Sequence, residues 1–335
     1  MTRSAAPKPA FRRFLESPIA GPLITLVTVL ILLTVFVPNK TFLTMRSISG
    51  IVNAATLTGV ITIGITLLMI CGEFDLSVGA LMAIGAFLYG GITMNGGNPL
   101  LAVLAGLIVP ALLGAVNGLI LIWTGIPSFI VTLGTQMVYR GGLYLLSTGI
   151  MLQTIAQFPV YTVFNGRLDF VANAIQDANF RTSLFWLLGL VLLFQFVLVR
   201  TRFGNHIFAV GGGSGAAKAT GVNVNRTKLL AFIVSGLLSG LAGIMLFSQY
   251  RTAKIATGAG EELNAIAAAV VGGTLLTGGS GSIIGALLGV LIISMLRTGI
   301  ILMDVPFIPA DNFVAVVGVT IIVAAVFNYW IRRQA

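Results

Sequence analysis

Charge is what this chain lacks. Asp, Glu, Lys and Arg make up 8% of its 335 residues, against about a quarter in a soluble domain. Hydrophobic residues reach 57%, and several runs approach the ~20 apolar residues that cross a bilayer core. A soluble domain is excluded. The alternation that barrel strands need, in segments of about ten residues, is also absent. The remaining class is an all-α polytopic membrane protein. Cysteine is nearly missing: Cys71 stands alone inside an apolar run, which excludes an internal disulfide framework and reads as a packed thiol. There is one histidine, His206, read as a loop or interface residue. With no His-Glu-x-x-His, Cys-x-x-Cys or Ser/His/Asp set, an intramembrane enzyme lacks its machinery, and no metal or cofactor is expected. No Gly-Lys dipeptide occurs, so the chain has no phosphate-binding loop with which to hydrolyse ATP. Acidic residues inside apolar runs are scarce too, which weakens a proton-coupled secondary carrier without removing it.

The basic residues have a pattern. The net charge of +10 points to nucleic acid only at first sight, because the cations sit in short loops beside apolar runs. Ten spans are predicted, near 19–37, 48–71, 77–94, 99–123, 127–147, 182–200, 228–249, 263–277, 283–303 and 312–331. They form one transmembrane domain, 19–331, between a tail at 1–18 and a short end at 332–335. The first run is too long for a signal peptide, and Pro38-Asn39-Lys40 is no small-residue cleavage site, so it reads as an uncleaved span. An even number of spans places both termini on one side. That side carries Arg3, Lys8, Arg12 and Arg13 in the tail, Arg332 and Arg333 at the end, and Arg200, Arg202, Lys218, Arg226 and Lys228 in and beside the 201–227 loop. Lys40, Arg46, Arg167, Arg181, Arg251 and Lys254 fall on the other side. The excess predicts cytoplasmic termini and an external loop over 147–181. Arg140 is expected near the outer end of the fifth span, where its stem snorkels to the surface; a role in the pathway is the alternative.

Two segments stand out. Gly72-Glu73-Phe74-Asp75-Leu76-Ser77-Val78-Gly79 sets two carboxylates in otherwise uncharged sequence. An ionised carboxylate in hydrocarbon costs roughly 2.5–3.5 kcal/mol on insertion scales, so the chain must break there or face protein or water. Asp75, two residues before Ser77, is expected to cap the following helix. Glu73 is read either at the membrane surface or paired inside. A fainter echo relates Asn53-Ala54-Ala55 and the Gly72 motif to Asn264-Ala265-Ile266 and Gly278–Ser282. Two repeats with broken helices and the shared composition of Gly/Ala-rich helices both account for it. In the 201–227 loop, Ser214 is expected to N-cap a short helix, Ala216 to Thr220, closed by Gly221. A small capped knob can dock in a partner's groove; a surface turn without a partner is the plainer alternative. Small residues at Gly236, Gly240 and Gly243 predict close helix packing.

These motifs resemble a permease subunit of the ribose/xylose/arabinose-type sugar importers of the ATP-binding-cassette superfamily. The family pattern Gly-x-x-Asp-Leu-Ser-Val-Gly is met at Gly72–Gly79, and Ile-Pro-x-Phe-Ile-x-Thr-Leu-Gly at Ile126–Gly134 with Arg140-Gly141 following. Ala-Val-Gly-Gly, Ala-Ala and Gly-Val-Asn-Val are met at Ala209–Gly212, Ala216-Ala217 and Gly221–Val224. Glu-Leu-x-Ala-Ile-Ala lies at Glu262–Ala267 and Gly-Gly-x-Gly-Ser at Gly278–Ser282. The resemblance covers about 48–325, and the ordered motifs make it specific. It implies a type II importer fold, a second permease chain identical or homologous, a cytoplasmic ATPase that holds ATP and Mg, a periplasmic sugar-binding protein, and a multi-pass location in the bacterial inner membrane. Ser214, Gly215, Ala216, Ala217, Lys218, Ala219, Thr220 and Gly221 would then couple to the ATPase. Glu73, Asp75, Ser77 and Asn264 become hinge or pathway candidates. Two positions depart from the family: Gly215 stands where glutamate is frequent, and Asn264 where aspartate is. Permeases for a polyol, nucleoside or amino acid share the same features.

Overall fold

The computed structural model describes residues 19–303, 315–320 and 322. Long helices dominate, as the apolar runs require. They are α1 (Ala20–Phe36), α2 (Met45–Ile70), α3 (Val78–Met94), α4 (Pro99–Thr124), α5 (Ser128–Ser147), α8 (Ser183–Arg200), α11 (Val224–Tyr250) and α13 (Ile283–Met303). Five of them, α2, α4, α8, α11 and α13, are long and apolar enough to cross a membrane by length and composition. Between α5 and α8 lie the short helices α6 (Pro159–Asn165) and α7 (Asp169–Ala174); α9 (Arg202–Gly212) and α10 (Ser214–Ala219) join α8 to α11. The tenth expected span lies mostly outside the described residues, within which 315–320 is helical. Both expected tails, 1–18 and 332–335, lie outside them as well.

Helix boundaries follow local chemistry. The Thr44 hydroxyl accepts from the Ser47 amide at the start of α2. The Asn98 side chain does the same for Leu100, with Pro99 in the first turn of α4, and Asn223 for Arg226 at the start of α11. At the other end of α4, Gly125 adopts the left-handed conformation that closes a helix.

The core is built around α2 and α11. From Gly59 to Ile70 every residue of α2 is buried, as expected for a helix wrapped on all sides. α11 packs on α4, α3 and α2. Its small-residue face makes this approach close: a methyl group on Gly240 would meet the ring of Pro110 at 2.9 Å, and one on Gly243 would meet the Ala86 amide at 2.8 Å. Cys71 is buried at the end of α2.

One expected span is too short. The eighth, predicted over 263–277, is the eleven-residue helix α12 (Glu261–Val271). At 1.5 Å per residue it extends about 16 Å, roughly half a hydrocarbon core. The neighbouring contacts show how the chain copes. α3 and α11 run in the same direction, with Asp75 against Ser235, Ala86 against Gly243 and Gly90 against Phe247. After α11 the strand β2 (Thr252–Ala253) pairs antiparallel with β1 (Leu152–Gln153). The chain then dips back until Gly258 packs on Gly79, near the middle of α11. α12 begins there, from inside the helix layer.

Candidate functional site

The Gly72–Gly79 segment is a break with satisfied hydrogen bonds. α2 closes in a Schellman turn: the Glu73 amide reaches the Leu68 carbonyl at 2.9 Å and the Gly72 amide that of Met69 at 3.0 Å, with Gly72 at φ +85°. The next free amides are met by α5. Ser128 Oγ accepts from Phe74 at 3.0 Å, and Thr132 Oγ1 from Leu76 at 3.0 Å. A buried irregular segment survives in a membrane protein when its polar groups find such partners.

Asp75 is fully buried. Its Oδ1 accepts from the amide and hydroxyl of Ser77, at 2.9 and 2.6 Å, and its Oδ2 from Ser235 at 3.1 Å. Among the described residues no cation pairs with it; hydrogen bonds alone hold the carboxylate. Ser77 also accepts from Asn117 Nδ2 at 2.8 Å, and Tyr139 Oη lies 2.9 Å from Asn117 Oδ1. The cluster thus joins α3, α4, α5 and α11. Glu73 is paired: it binds Lys228 at the start of α11.

The second broken region lies against the first. α12 closes by the same kind of turn, with Thr274 bonding Ala269 and Gly273 bonding Val270, each at 2.9 Å. The chain from 272 to 282 then folds onto the end of α2, where the Gly279 amide donates to the Ile70 carbonyl at 2.8 Å. Gly278 sits on Gly72, with room for no methyl group: a Cβ would be 2.9 Å from the Gly72 Cα. Gln195 of α8 caps α13 by accepting from Ile283 and Ile284 at 3.1 and 3.3 Å. The glycines at 72 and 278–279, far apart in sequence, share one junction.

The 201–227 segment reaches the same junction. Gly211 closes α9 against Ile70 and Gly279, where a Cβ would lie 2.6 Å from the Gly279 amide. This helix goes beyond the sequence reading, which placed only one or two helical turns in the segment. Its signals were the Thr201 hydroxyl that accepts from Gly204 and Phe203, Ile207 and Val210 spaced along one face. His206 therefore lies on a helix, not in a loop. The second helix, α10, occupies Ser214–Ala219, with Gly213 at the N-cap position and no side-chain cap. Ser214 is its first residue rather than its cap. Gly221 closes it at φ +84°, with Val222 bonding Ala217 at 3.0 Å. Ala217 is buried against its own chain, whereas Ser214, Gly215, Ala216, Lys218, Ala219 and Thr220 are exposed. The outward face therefore excludes Ala217.

Asn264 does not join this junction. It lies in the first turn of α12, its amide donating to Glu261 Oε1 at 3.2 Å, while Thr58 donates to Glu261 Oε2 at 2.8 Å. Arg140 is held by backbone. Its Nη1 donates to the Ile255 and Thr257 carbonyls at 2.5 and 3.2 Å, pinning α5 to the re-entrant segment. Sequence spacing gave no hint of that contact, which spans more than a hundred residues.

Comparison with known proteins identifies the family. Residues 47–325 match the family described as branched-chain amino acid transport system / permease component. The ribose import permease protein RbsC of Bacillus subtilis is 34% identical over 92% of each chain. The fructose import permease protein FrcC of Rhizobium meliloti is 34% identical over 96% of this chain and 88% of its own. The xylose transport system permease protein XylH of Escherichia coli is 32% identical over 85% and 86%. No solved structure matches.

Proposed function

Because the chain belongs to the family of branched-chain amino acid transport system permease components, we propose that it is the membrane-spanning subunit of an ATP-driven importer of monosaccharides. The observation that carries the substrate class is the likeness, across nearly the whole chain, to permeases named for ribose, fructose and xylose. A separate ATPase on the cytoplasmic side and an external sugar-binding protein complete this reading, with the termini and the 201–227 segment cytoplasmic in a bacterial inner membrane. A second permease chain supplies the other half of the pathway.

The junction supplies a mechanical account. α10 is exposed except at Ala217, and α9 connects it to the point where both broken regions meet. An ATPase that grips α10 and moves on closing would displace Gly211 against Ile70 and Gly279. Backbone in contact with backbone transmits that displacement without a soft side chain between. The breaks at 71–77 and 272–282 then shift together, tilting α3 and α13. Nucleotide and loaded binding protein must favour different permease states for transport to be driven.

The test is uptake of labelled ribose, xylose and fructose into vesicles holding the permease, its ATPase and the binding protein. Uptake of at least one sugar that needs ATP and survives a proton uncoupler is the expected result. Uptake abolished by the uncoupler at constant ATP would instead identify a secondary carrier, and uptake of branched-chain amino acids alone would move the substrate class.

A further inference from the structure

Three polar side chains gather where the chain re-enters the helix layer. Gln136 and Arg140 project from α5, one turn apart, and Glu262 from the first turn of α12. Gln136 Nε2 donates to Glu262 Oε1 at 3.3 Å, which also accepts from the Gly260 amide at 3.2 Å. Arg140 is held by the Ile255 and Thr257 carbonyls. No direct ion pair joins Arg140 to Glu262 among the described residues, although they attract each other. Instead Arg140 Nη2 and Glu262 Oε2 are both buried without a hydrogen-bond partner. One is a spare donor and the other a spare acceptor.

The depth of this cluster matters. Ser128, at the start of α5, bonds the Gly72–Gly79 break. Arg140 lies twelve residues further along the helix, about 18 Å from its start at 1.5 Å per residue, inside a helix expected to cross the bilayer. Charges at that depth face water or protein, not lipid. Beside the two buried atoms, Met137 and Leu263 are exposed on this chain, and a methyl group on Gly134 or Gly141 would meet nothing within 4 Å. The charges nearly balance. Arg140 is balanced by Glu262, which lies in the first turn of α12 and packs on Gly79 in the first turn of α3. A site with donors, an acceptor and little net charge repels ions less by sign than by offering no compensation for their hydration. It suits neutral groups that both donate and accept.

We infer that Gln136, Arg140 and Glu262 form a hydrogen-bonding station for an uncharged, hydroxyl-bearing solute on the wall of the translocation pathway. The inference rests on the permease reading above and adds the residues and the chemistry that receive the solute. A hydroxyl of the solute takes up Arg140 Nη2 as donor and Glu262 Oε2 as acceptor, which replaces part of its hydration as it passes.

The experiment uses the complete transporter in vesicles, with single cysteines at Gln136→Cys and Leu263→Cys, and Leu192→Cys on the exposed apolar face of α8 as a lipid-side control. The native Cys71 is buried. A small charged methanethiosulfonate is the probe, since only a water-exposed thiol ionises and reacts. The two site cysteines are expected to react at least about tenfold faster than the control in one nucleotide state, because hydrocarbon excludes both probe and thiolate. Addition of sugar with loaded binding protein is expected to slow them. Control-like rates in every nucleotide state overturn the inference. Arg140→Gln is expected to lose about tenfold or more of uptake, the scale of one charged hydrogen bond, while ATP hydrolysis continues. Unchanged uptake in that variant also overturns it. If Arg140→Gln does not assemble, the labelling rates decide alone. Uptake by the unsubstituted transporter, measured in the same vesicles, shows separately whether the permease reading stands.

Discussion

The Gly279 amide donates to the carbonyl of Ile70 across 2.8 Å, and Gly211 fills the space beside that bond so closely that any side chain there would displace it. Three separate stretches of backbone thus meet without side chains between them. Interiors at this density transmit strain rather than absorb it.

A methyl group placed at this contact tests its role. Gly211→Ala has only backbone atoms to push against, so it is expected to lose about 1–3 kcal/mol, the usual range for overpacking, and to reduce ATP-dependent uptake further than its stability loss explains. Gly189→Ala on α8, which meets nothing within 4 Å, is the matched control and should lower neither. Thermal unfolding of the purified protein and vesicle uptake give the two readings. Equal behaviour of the two variants would remove the junction from the transmission path.

Asp75 is expected to tolerate amide but not methyl. In Asp75→Asn the side-chain oxygen still accepts from Ser77, while the new amino group can donate to Ser235. Asp75→Ala leaves the Ser77 and Ser235 hydroxyls and the Ser77 amide without their acceptor, at about 1–3 kcal/mol for each group stranded. Monodisperse yield should therefore fall sharply for Ala and little for Asn. If Asn fails as badly as Ala, the negative charge itself is required.

The pair Glu73–Lys228 ties the first break to the start of α11. Glu73→Lys and Lys228→Glu should each destabilise the protein, and the double swap should restore part of the loss. For a half-buried pair a coupling of about 0.5–3 kcal/mol is the expected scale. Additive losses in the double variant would show that the two side chains act independently.

Tryptophan at two positions of α10 separates fold from docking. Ala217 is buried, so Ala217→Trp should unseat the helix and lower yield. Ala219 points outward, so Ala219→Trp should leave the yield intact and abolish co-purification with the ATPase. Retained co-purification in the Ala219 variant would place the contact elsewhere. Lys218, exposed on the same helix, contributes roughly 0–1 kcal/mol if it pairs with a partner, and Lys218→Ala should matter less than either.

Much of this architecture was legible in the run lengths of apolar residues, because a bilayer imposes a minimum length on every crossing. Nine of the expected spans have a helix at their place. The shortness of α12 was not legible: its apolar sequence continues smoothly into Gly272–Thr277, and only the Schellman turn at Gly273 ends the helix. α9 was hidden by its glycines, although Phe203, Ile207 and Val210 carried its period. The inward turn of Ala217 depends on packing that local sequence does not encode. Glu73 with Lys228, and Arg140 with Ile255 and Thr257, are partnerships between distant segments, and one sequence gives no distance information of that kind.

The brevity of α12 has a consequence for biogenesis. A translocon that weighs segments one at a time finds about twenty apolar residues in α11 and in α13 but only the shorter, Gly-interrupted run from Leu263 to Thr277 between them. Read alone, the stretch from Arg251 to Ser282 would remain on the side where α11 emerged, and α13 would enter upside down. Its correct placement must wait for α3, whose Gly79 receives Gly258. Bulk at Gly79 would therefore do more than loosen a contact. In Gly79→Leu, a reporter fused after Ser282 should appear on the wrong side of the membrane in part of the molecules, a defect of orientation produced by a residue two hundred positions earlier.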